Sequence, residues 1–193
     1  MTTHSSREMR REQILDAAQS CFGKTGYHKT RMDDIVRAAG LSKGALYWHF
    51  KSKDEIFLAL FDRFDREIFA AWDGISNLGA LETLRTESEI VLEALLSDRS
   101  LLETWTEFLK HPIARERFAA IYKESRARLQ ATLEAGIRCG EIAPCEARHV
   151  AAMLTAMIEG LLLQALADPD FDAMGAWPTS WEIISRGLTS GAE

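Results

Sequence analysis

The sequence predicts an all-α fold, and three observations carry this prediction. Apolar residues recur at helical spacing over long segments, as in the series Ile56, Leu60, Phe64, Ile68 and Trp72. Clusters of glycine, proline and serine separate these segments. No segment alternates apolar and polar residues with period two, so β-strands are not expected.

Four helices are predicted in the first part of the chain. The first covers about residues 7–24 and places Ile14, Ala18 and Phe22 on one face. Two short helices follow at about residues 30–39 and 43–50, with the turn Gly40-Leu41-Ser42 between them. The fourth begins after Ser52, and Glu55 three residues later predicts a capping box. Because two helices of about eight residues bury little surface alone, the short pair must pack on the first helix.

Five further helices are predicted in the rest of the chain, at about residues 81–96, 100–110, 113–139, 145–167 and 177–188. The breaks between them contain glycine or proline: His111-Pro112, Gly140 to Pro144 and Asp168-Pro169. The helix at 145–167 is apolar on almost every side, which is typical of a helix that is buried on every side.

Charge divides the chain into two predicted domains. The net charge of the 193 residues is −6, but residues 1–53 carry +5 and residues 54–193 carry −11. Because phosphate binding requires positive charge, any contact with nucleic acid is expected in the first segment alone. We therefore predict a small N-terminal domain, 1–53, and a larger helical domain, 54–193.

Composition argues against several classes of protein. Cys21, Cys139 and Cys145 lack the spacing of a disulfide framework or a zinc site, so neither a metal nor a cofactor is expected. The N-terminus lacks the apolar segment of a secretory signal. The longest apolar stretch, 150–166, is shorter than a spanning helix and is interrupted by polar residues. A soluble, cytoplasmic protein without a membrane partner is predicted.

The second short helix has surface chemistry suited to DNA. Tyr47, Trp48 and His49 are consecutive, so at about 100° per residue they cannot all face the core. Gly44 and Ala45 are small enough to permit a close approach. Because the major groove admits a helix and presents thymine methyl groups to aromatic side chains, this helix is predicted to enter that groove.

The same region resembles the DNA-binding signature of the TetR family of transcription regulators. Gly26-Tyr27-His28-Lys29-Thr30, Ile35 and the run from Ala38 to Asp54 carry the resemblance. It implies an N-terminal three-helix helix-turn-helix domain followed by a helical bundle that binds an effector and dimerises. It also implies a homodimer that represses transcription at near-palindromic, double-stranded operator DNA. By position, it assigns base contacts to Gly44, Ala45, Tyr47 and Trp48, and phosphate contacts to Thr30, Arg31, Ser42, Lys43, Tyr47, His49 and Lys53.

The acidic remainder is expected to bind a small-molecule effector that releases the DNA. Its stretch from Trp105 through Tyr122 to Glu159-Gly160-Leu161 resembles, more weakly, the sensor region of choline-responsive repressors of the family. The candidate effector residues are Phe61, Phe64, Trp72, Trp105, Phe108, Tyr122, Met153 and Met157. Candidate polar contacts are Glu103, Glu107, His111 and Gln164. Acidic and aromatic groups together suit a cation, although each residue taken singly is also typical of an ordinary helical core.

A second copy of the chain is expected to cover part of the apolar helix at 145–167. One face of this helix would pack on its own core and the other on the partner of a two-fold dimer. The candidate interface residues are Ala152, Thr155, Ala156 and Leu163, together with Trp177 and Trp181 of the following helix.

The sequence leaves three other interpretations to consider. An enzyme is disfavoured because the five histidines are scattered and no nucleophile motif or phosphate-binding glycine loop occurs. A redox switch between Cys139 and Cys145 is sterically conceivable across the intervening turn. A DNA-binding protein without an effector is the third alternative.

Overall fold

A computed structural model describes the backbone of residues 2–97 and 99–189, and the side chains of residues 6–97, 99, 101–106 and 111–189. Within this part of the chain the regular structure is helical and no strand occurs, which confirms the predicted fold class. The α-helices are α1 (Thr2–Thr25), α2 (Met32–Ala39), α3 (Lys43–His49), α4 (Lys53–Asp73), α5 (Ala80–Leu96), α6 (Arg99–Lys110), α7 (Arg115–Cys139), α8 (Ala147–Ala167) and α9 (Ala173–Thr189). A 3₁₀ turn, Pro112–Ala114, precedes α7.

The predicted helix ends agree best with the structure where the sequence contains a recognisable capping residue. At the start of α4, the Ser52 hydroxyl accepts the Glu55 N–H at 3.1 Å, as the capping box requires. The Glu55 carboxylate accepts the Lys51 N–H at 2.6 Å, one residue earlier than a standard box. The last helix begins earlier than predicted, because Asp172 accepts the Gly175 N–H at 2.8 Å and Pro178 lies inside α9.

The chain forms two compact units. The first contains Met1–Arg66 and Asp98–Glu116, and the second contains Glu67–Ser97 and Arg117–Glu193. The first unit therefore includes α1 to α3, α4 as far as Arg66, and α6.

An aromatic cluster forms part of the core of the first unit. The Phe22 ring of α1 packs edge-on against Phe57 of α4 with centroids 5.6 Å apart, and the Tyr27 ring lies 4.2 Å from that of Phe57. Ile35 of α2 and Leu46 of α3 are fully buried in the same unit. Burial of these apolar side chains fixes the two short helices on α1 and α4.

The second unit is held by close helix packing and by buried polar contacts. α5, α8 and α9 pack on one another, and the Trp177 indole of α9 donates to Glu89 Oε1 of α5 at 2.9 Å. The backbones of α5 and α7 approach closely at Gly136, where an added Cβ would lie 2.7 Å from the Cβ of Ala80. Only glycine fits there without movement of α5.

Candidate functional site

The turn between α2 and α3 sets the angle of the short helix pair. Gly40 ends α2 in the left-handed region with φ +63°, a conformation that glycine adopts without a steric penalty. The Leu41 N–H then donates to the Val36 carbonyl at 3.2 Å, which closes the end of α2. Ser42 is the N-cap residue of α3, and its hydroxyl accepts the Ala45 N–H at 3.2 Å.

One face of α3 is buried and the other presents aromatic side chains to solvent. Leu46 is fully buried, whereas Tyr47 is 41% exposed and Trp48 is 60% exposed. Apart from the surrounding backbone of α3, no described atom lies within 4 Å of the position that a Cβ on Gly44 would occupy. The exposed face thus combines two rings with an open backbone position, the shape that a helix needs to approach base edges closely.

Basic side chains of α1 lie beside α3. The Arg7 guanidinium is 4.9 Å from the centre of the Trp48 ring, and the Arg11 guanidinium is 5.2 Å from that of Phe50. Burial, together with the charges of Arg7 and Arg11, lowers the pKa of His49. His49 is therefore a neutral hydrogen-bonding group near pH 7. Sequence spacing gave no signal for either arginine, because both contacts join segments far apart in the chain.

The exposed phosphate candidates include a lysine that already has a partner. The Lys43 ammonium lies 2.8 Å from the Asp33 carboxylate, and this hydrogen bond raises the pKa of Lys43. Both side chains are well exposed, so the pair is weak and a phosphate can compete for the lysine. Arg31 is exposed at the N-terminus of α2, where its backbone N–H donates to Asp34 Oδ2 at 2.9 Å.

Two further phosphate candidates, Thr30 and Lys53, bond to backbone carbonyls of the loop between α1 and α2. Thr30 is 1% exposed, and its hydroxyl donates to the Gly26 carbonyl at 2.8 Å. The Lys53 ammonium donates to the carbonyls of Tyr27 at 2.6 Å and Thr30 at 2.9 Å. Thr30 and Lys53 therefore hold the loop between α1 and α2, and a phosphate contact by either side chain requires that these bonds be exchanged.

Three of the effector candidates form a closed aromatic cluster in the first unit. The Phe61 ring stacks on Trp105 with centroids 5.0 Å apart, and the Phe64 ring meets Trp105 edge-on at 5.2 Å. The cavity beside them measures about 10 Å³, room for one water molecule. Sites for small molecules measure about 300–1,000 Å³, so this cluster is closed in the present conformation. The side chains of Phe108 and Glu107 lie outside the described residues.

Comparison with known proteins identifies this arrangement. A family model described as "Bacterial regulatory proteins, tetR family" matches residues 14–60, which contain α2, α3 and the turn between them. A second, described as "BetI-type transcriptional repressor, C-terminal", matches residues 80–181. The chain belongs to the TetR family of transcriptional regulators.

Relatives extend this family match along most of the chain. The HTH-type transcriptional repressor KstR2 of Rhodococcus jostii is 35% identical over 70% of this chain and 69% of its own length. The HTH-type transcriptional regulator BetI of Burkholderia thailandensis is 27% identical over 96% of this chain and 97% of its own length. A solved regulator from Saccharomonospora viridis, in complex with choline, has a TM-score of 0.78 and 26% identity over 92% of this chain and 95% of its own.

Membership in the TetR family resolves the broad function. The protein is a DNA-binding transcriptional regulator with an N-terminal helix-turn-helix, as the sequence predicts. The family and the matched relatives are regulators and not enzymes, so the enzymatic alternative is excluded.

The second unit of this TetR-family chain contains the other effector candidates. Trp72 is buried and its indole donates to the Glu87 carbonyl at 2.9 Å. Burial, together with the neighbouring Glu159 side chain, raises the pKa of the Tyr122 phenol. Met153 is exposed and Met157 is half-buried. These four residues and the cluster around Trp105 thus belong to different compact units.

Glu159 is a residue of the second unit that the sequence did not single out as a ligand contact. Its Oε1 is buried, and no hydrogen-bond partner reaches it among the described residues. The Arg126 guanidinium lies 5.9 Å from the centre of the neighbouring Tyr122 ring. A buried carboxylate oxygen without a donor costs free energy, so this position has an unmet capacity to accept a hydrogen bond or to face a cation.

The dimer candidates divide into exposed and buried residues. Ala152, Ala156 and Leu163 of α8 are exposed and Thr155 is partly exposed. Trp177 differs from the prediction, since it is 1% exposed within its own chain and packs on α5. Trp181 is likewise buried against its own chain and stacks on Trp177 at 5.8 Å. Both indoles therefore belong mainly to the core of their own chain and expose little surface.

Both α8 and α9 present apolar side chains to solvent. Only 28% of an apolar 18-residue window of α8 is buried, and Met174 and Ile183 of α9 are also exposed. α8 is long and apolar enough to span a membrane, but a single such helix is weak evidence for a membrane protein. The family and the relatives that the chain matches are transcriptional regulators.

Proposed function

We propose that this regulator is a homodimeric, cytoplasmic repressor that binds near-palindromic, double-stranded operator DNA and leaves it when a small-molecule effector binds. The exposed face of α3 is the observation that carries the proposal. Tyr47 and Trp48 extend from a helix that buried Leu46 anchors, and Gly44 leaves the backbone accessible. This is the surface that major-groove reading requires.

Within this proposal, residues 1–53 form the DNA-binding domain. Base edges are contacted by Gly44, Ala45, Tyr47 and Trp48, whereas phosphates are contacted by Arg31, Ser42, Lys43, Tyr47 and His49, with Thr30 and Lys53 supporting the loop behind them. The net charge of +5 on this segment supplies the sequence-independent attraction to the duplex. Residues 54–193 form the domain for effector binding and dimerisation.

The proposed dimer forms through α8 and α9. Ala152, Met153, Ala156 and Leu163 of α8, with Ile183 of α9, present exposed apolar or small side chains that water solvates poorly. A two-fold axis would place the same surface of both copies face to face. An obligate interface of this kind buries more than about 2,000 Å² in total. The dimer would then present two α3 helices to half-sites about 34–36 Å apart.

The proposed effector is a small organic cation that binds in the second unit near Tyr122 and Glu159. Support comes from the buried Oε1 of Glu159, which is without a donor among the described residues, and from the Tyr122 ring beside it. The choline complex of the Saccharomonospora viridis regulator, which resembles this chain over most of its length, favours the same class of ligand. We propose that Trp72 and Met157 contribute further apolar contacts.

Release from DNA follows if the effector and the operator favour different conformations of the dimer. Each ligand then weakens the other by the same factor, because the coupling free energy is shared. An effector-independent regulator would show no such coupling.

The DNA-binding proposal is tested with an operator selected by the wild-type protein from a random library. Trp48→Ala should cost about 1–3 kcal/mol on that operator and little on random DNA, since only the specific complex uses the base-edge contact. Met9→Ala, which removes an equally exposed apolar side chain from α1, is the control. A Trp48→Ala protein with a lower melting temperature and unchanged operator preference would show that Trp48 serves the fold instead.

The effector proposal is tested with choline and its neutral isostere 3,3-dimethylbutanol. Choline should raise the melting temperature of the wild-type protein and release the operator, and the neutral compound should do neither. Glu159→Gln should lose the response to choline while it retains operator binding. If choline neither stabilises the protein nor releases DNA, this ligand class is wrong.

A further inference from the structure

Trp48 is both the most exposed aromatic side chain described on α3 and a ring with a cation above it. Its indole is 60% exposed. The Arg7 guanidinium of α1 lies 4.9 Å from its centroid, and the His49 ring meets it edge-on at 4.7 Å. A guanidinium within about 6 Å of an indole face is in range of a cation–π interaction. The exposed ring is thus contacted by a residue outside the helix pair α2 and α3.

An indole on a solvent-exposed helix would otherwise sample several rotamers. Each rotamer that does not match the groove lowers the fraction of protein ready to bind, and ordering the ring on binding costs entropy. A cation held over the ring restricts these rotamers before DNA arrives. Affinity then rises for those sequences that the ordered ring contacts.

The other described arginines at this end of α1 have different surroundings. The Arg10 guanidinium bonds to Gln13 at 2.8 Å on its own helix, and Arg11 lies over the ring of buried Phe50. All three add positive charge near the DNA-binding surface. The contact with an exposed ring of α3 distinguishes Arg7 from Arg10 and Arg11.

We propose that Arg7 is a positioning residue for operator recognition, whose guanidinium fixes the Trp48 ring in the orientation that reads the DNA. The inference rests on the proposed role of Trp48 in base contact. It extends the sequence-reading surface from the helix pair α2 and α3 to the N-terminal part of α1. A residue that only attracted phosphates would act on all DNA alike.

A double-mutant cycle separates these two roles. Arg7→Met, Trp48→Leu and the double variant are titrated with the selected operator and with random DNA. Arg7→Met should lower the ratio of operator affinity to random-DNA affinity about two- to fivefold per subunit. In the Trp48→Leu background the same change should leave the ratio unaltered, because the ring that Arg7 orders is absent. Arg10→Met, the matched control, should weaken both kinds of DNA equally.

Two further readouts test the contact, one with operator DNA and one without DNA. Arg7→Lys keeps a cation within reach of the ring and should restore most of the operator preference. Arg7→Met should raise the pKa of His49 in an NMR titration, since Arg7 is one of the charges that lowers it, whereas Arg10→Met should shift it less.

The results distinguish failure of this inference from failure of the proposed function. If Trp48→Leu itself leaves operator preference unchanged, the proposed base contact is wrong. If Trp48→Leu lowers that preference but Arg7→Met changes the ratio equally in both backgrounds, or in neither, Arg7 does not act through Trp48 and the inference is overturned. An unchanged pKa of His49 in Arg7→Met would also overturn it.

Discussion

Lys53 and Thr30 are joined by a hydrogen bond in which the lysine ammonium lies 2.9 Å from the carbonyl oxygen of Thr30. The same ammonium donates to the Tyr27 carbonyl and lies 4.1 Å from the centre of the Tyr27 ring. The first residue of α4 thereby holds the loop between α1 and α2. Since α2 begins just after this loop, Lys53 also helps to place the helix pair that carries the DNA-binding surface.

Lys53→Met is therefore expected to lower the stability of the protein as well as its affinity for DNA. Hydrogen bonds to a charged group contribute about 1.5–3 kcal/mol each at most, and a partly exposed lysine lies at the low end. We expect a loss of about 1–2 kcal/mol in urea unfolding. Lys29→Met, at an exposed lysine of the same loop, is the control for loss of charge. If Lys53→Met has the melting temperature of the wild type and only the salt dependence of its DNA affinity falls, Lys53 contacts phosphates and does not stabilise the loop.

Gly44→Leu is expected to abolish operator binding while the protein stays folded. Apart from the surrounding backbone of α3, no atom lies within 4 Å of the added Cβ, so the side chain begins in open space on the proposed DNA-binding face. Leucine is also the better helix former by nearly 1 kcal/mol, so the melting temperature should hold or rise. Gel shifts and thermal melts measure the two effects.

Gly136→Ala is the contrasting glycine variant. Its Cβ would lie 2.7 Å from the Cβ of Ala80, a rigid neighbour, so α5 and α7 must separate. This variant should lose about 1–3 kcal/mol of stability. A Gly44→Leu protein that unfolds like Gly136→Ala would show that α3 presents a different face to solvent.

The helices could be predicted from the sequence because their apolar periodicity and caps are local. Ser52 shows this at the start of α4, where the predicted hydroxyl cap is present. The sequence does not predict the beginning of α1, because its first residues are polar and carry no apolar stripe. The sequence places Trp177 on a buried face, but periodicity does not tell whether the same chain or a second copy covers that face.

The candidate site was predictable where the chemistry is contiguous in sequence, as in Tyr47 and Trp48. It was not predictable where partners come from distant segments. The cation above Trp48 comes from Arg7 on another helix, and the loop carbonyls bound by Lys53 carry no side-chain signature. The size of the cavity beside Trp105 depends on how side chains pack in three dimensions, and the spacing of residues in the sequence does not determine this.

Ala156→Glu should dissociate the proposed dimer. Ala156 is exposed on α8, so the single chain can accommodate the longer side chain. At a two-fold interface, however, two carboxylates would be buried without partners, which is strongly unfavourable. Sedimentation velocity at micromolar concentration should show a monomer with a helical circular dichroism spectrum, or precipitation. Ala131→Glu, at an exposed alanine of α7, should stay dimeric. A wild-type protein that sediments as a stable monomer contradicts the proposed interface.

Glu141→Gln should destabilise the second unit through the N-terminus of α5. The Glu141 carboxylate accepts the N–H groups of Ala80 at 2.6 Å and of Leu81 at 2.9 Å. It satisfies two donors that the helix cannot, and its charge complements the helix dipole. The glutamine amide has one oxygen acceptor and no charge, so it retains only part of this stabilisation. We expect the free energy of unfolding in urea to fall by about 1 kcal/mol. Glu124→Gln, at an exposed glutamate in the interior of α7, is the control for loss of charge.

Glu87 gives a prediction about pH. This glutamate of α5 is 1% exposed, its Oε1 accepts from Arg128 Nε at 2.9 Å, and its Oε2 has no hydrogen-bond partner among the described residues. Burial raises the pKa of Glu87 even though Arg128 opposes the shift. The folded state therefore holds a proton more tightly than the unfolded state. As pH rises from 4.5 through the raised pKa, ionisation of Glu87 costs the wild-type protein stability.

Glu87→Gln removes this titration and keeps an oxygen able to accept from Arg128. The difference in unfolding free energy, variant minus wild type, should accordingly rise with pH above 4.5 and level off once folded Glu87 is fully ionised. Urea unfolding of both proteins between about pH 4.5 and 8 measures this difference, because the window spans the ordinary and the raised carboxyl pKa. Glu89→Gln changes a more exposed carboxyl of the same helix, for comparison. If the difference for Glu87→Gln stays constant across this pH range, or falls as pH rises, the prediction is wrong. Arg128 would then compensate the buried charge of Glu87 fully, and Oε2 would have a hydrogen-bond donor in solution.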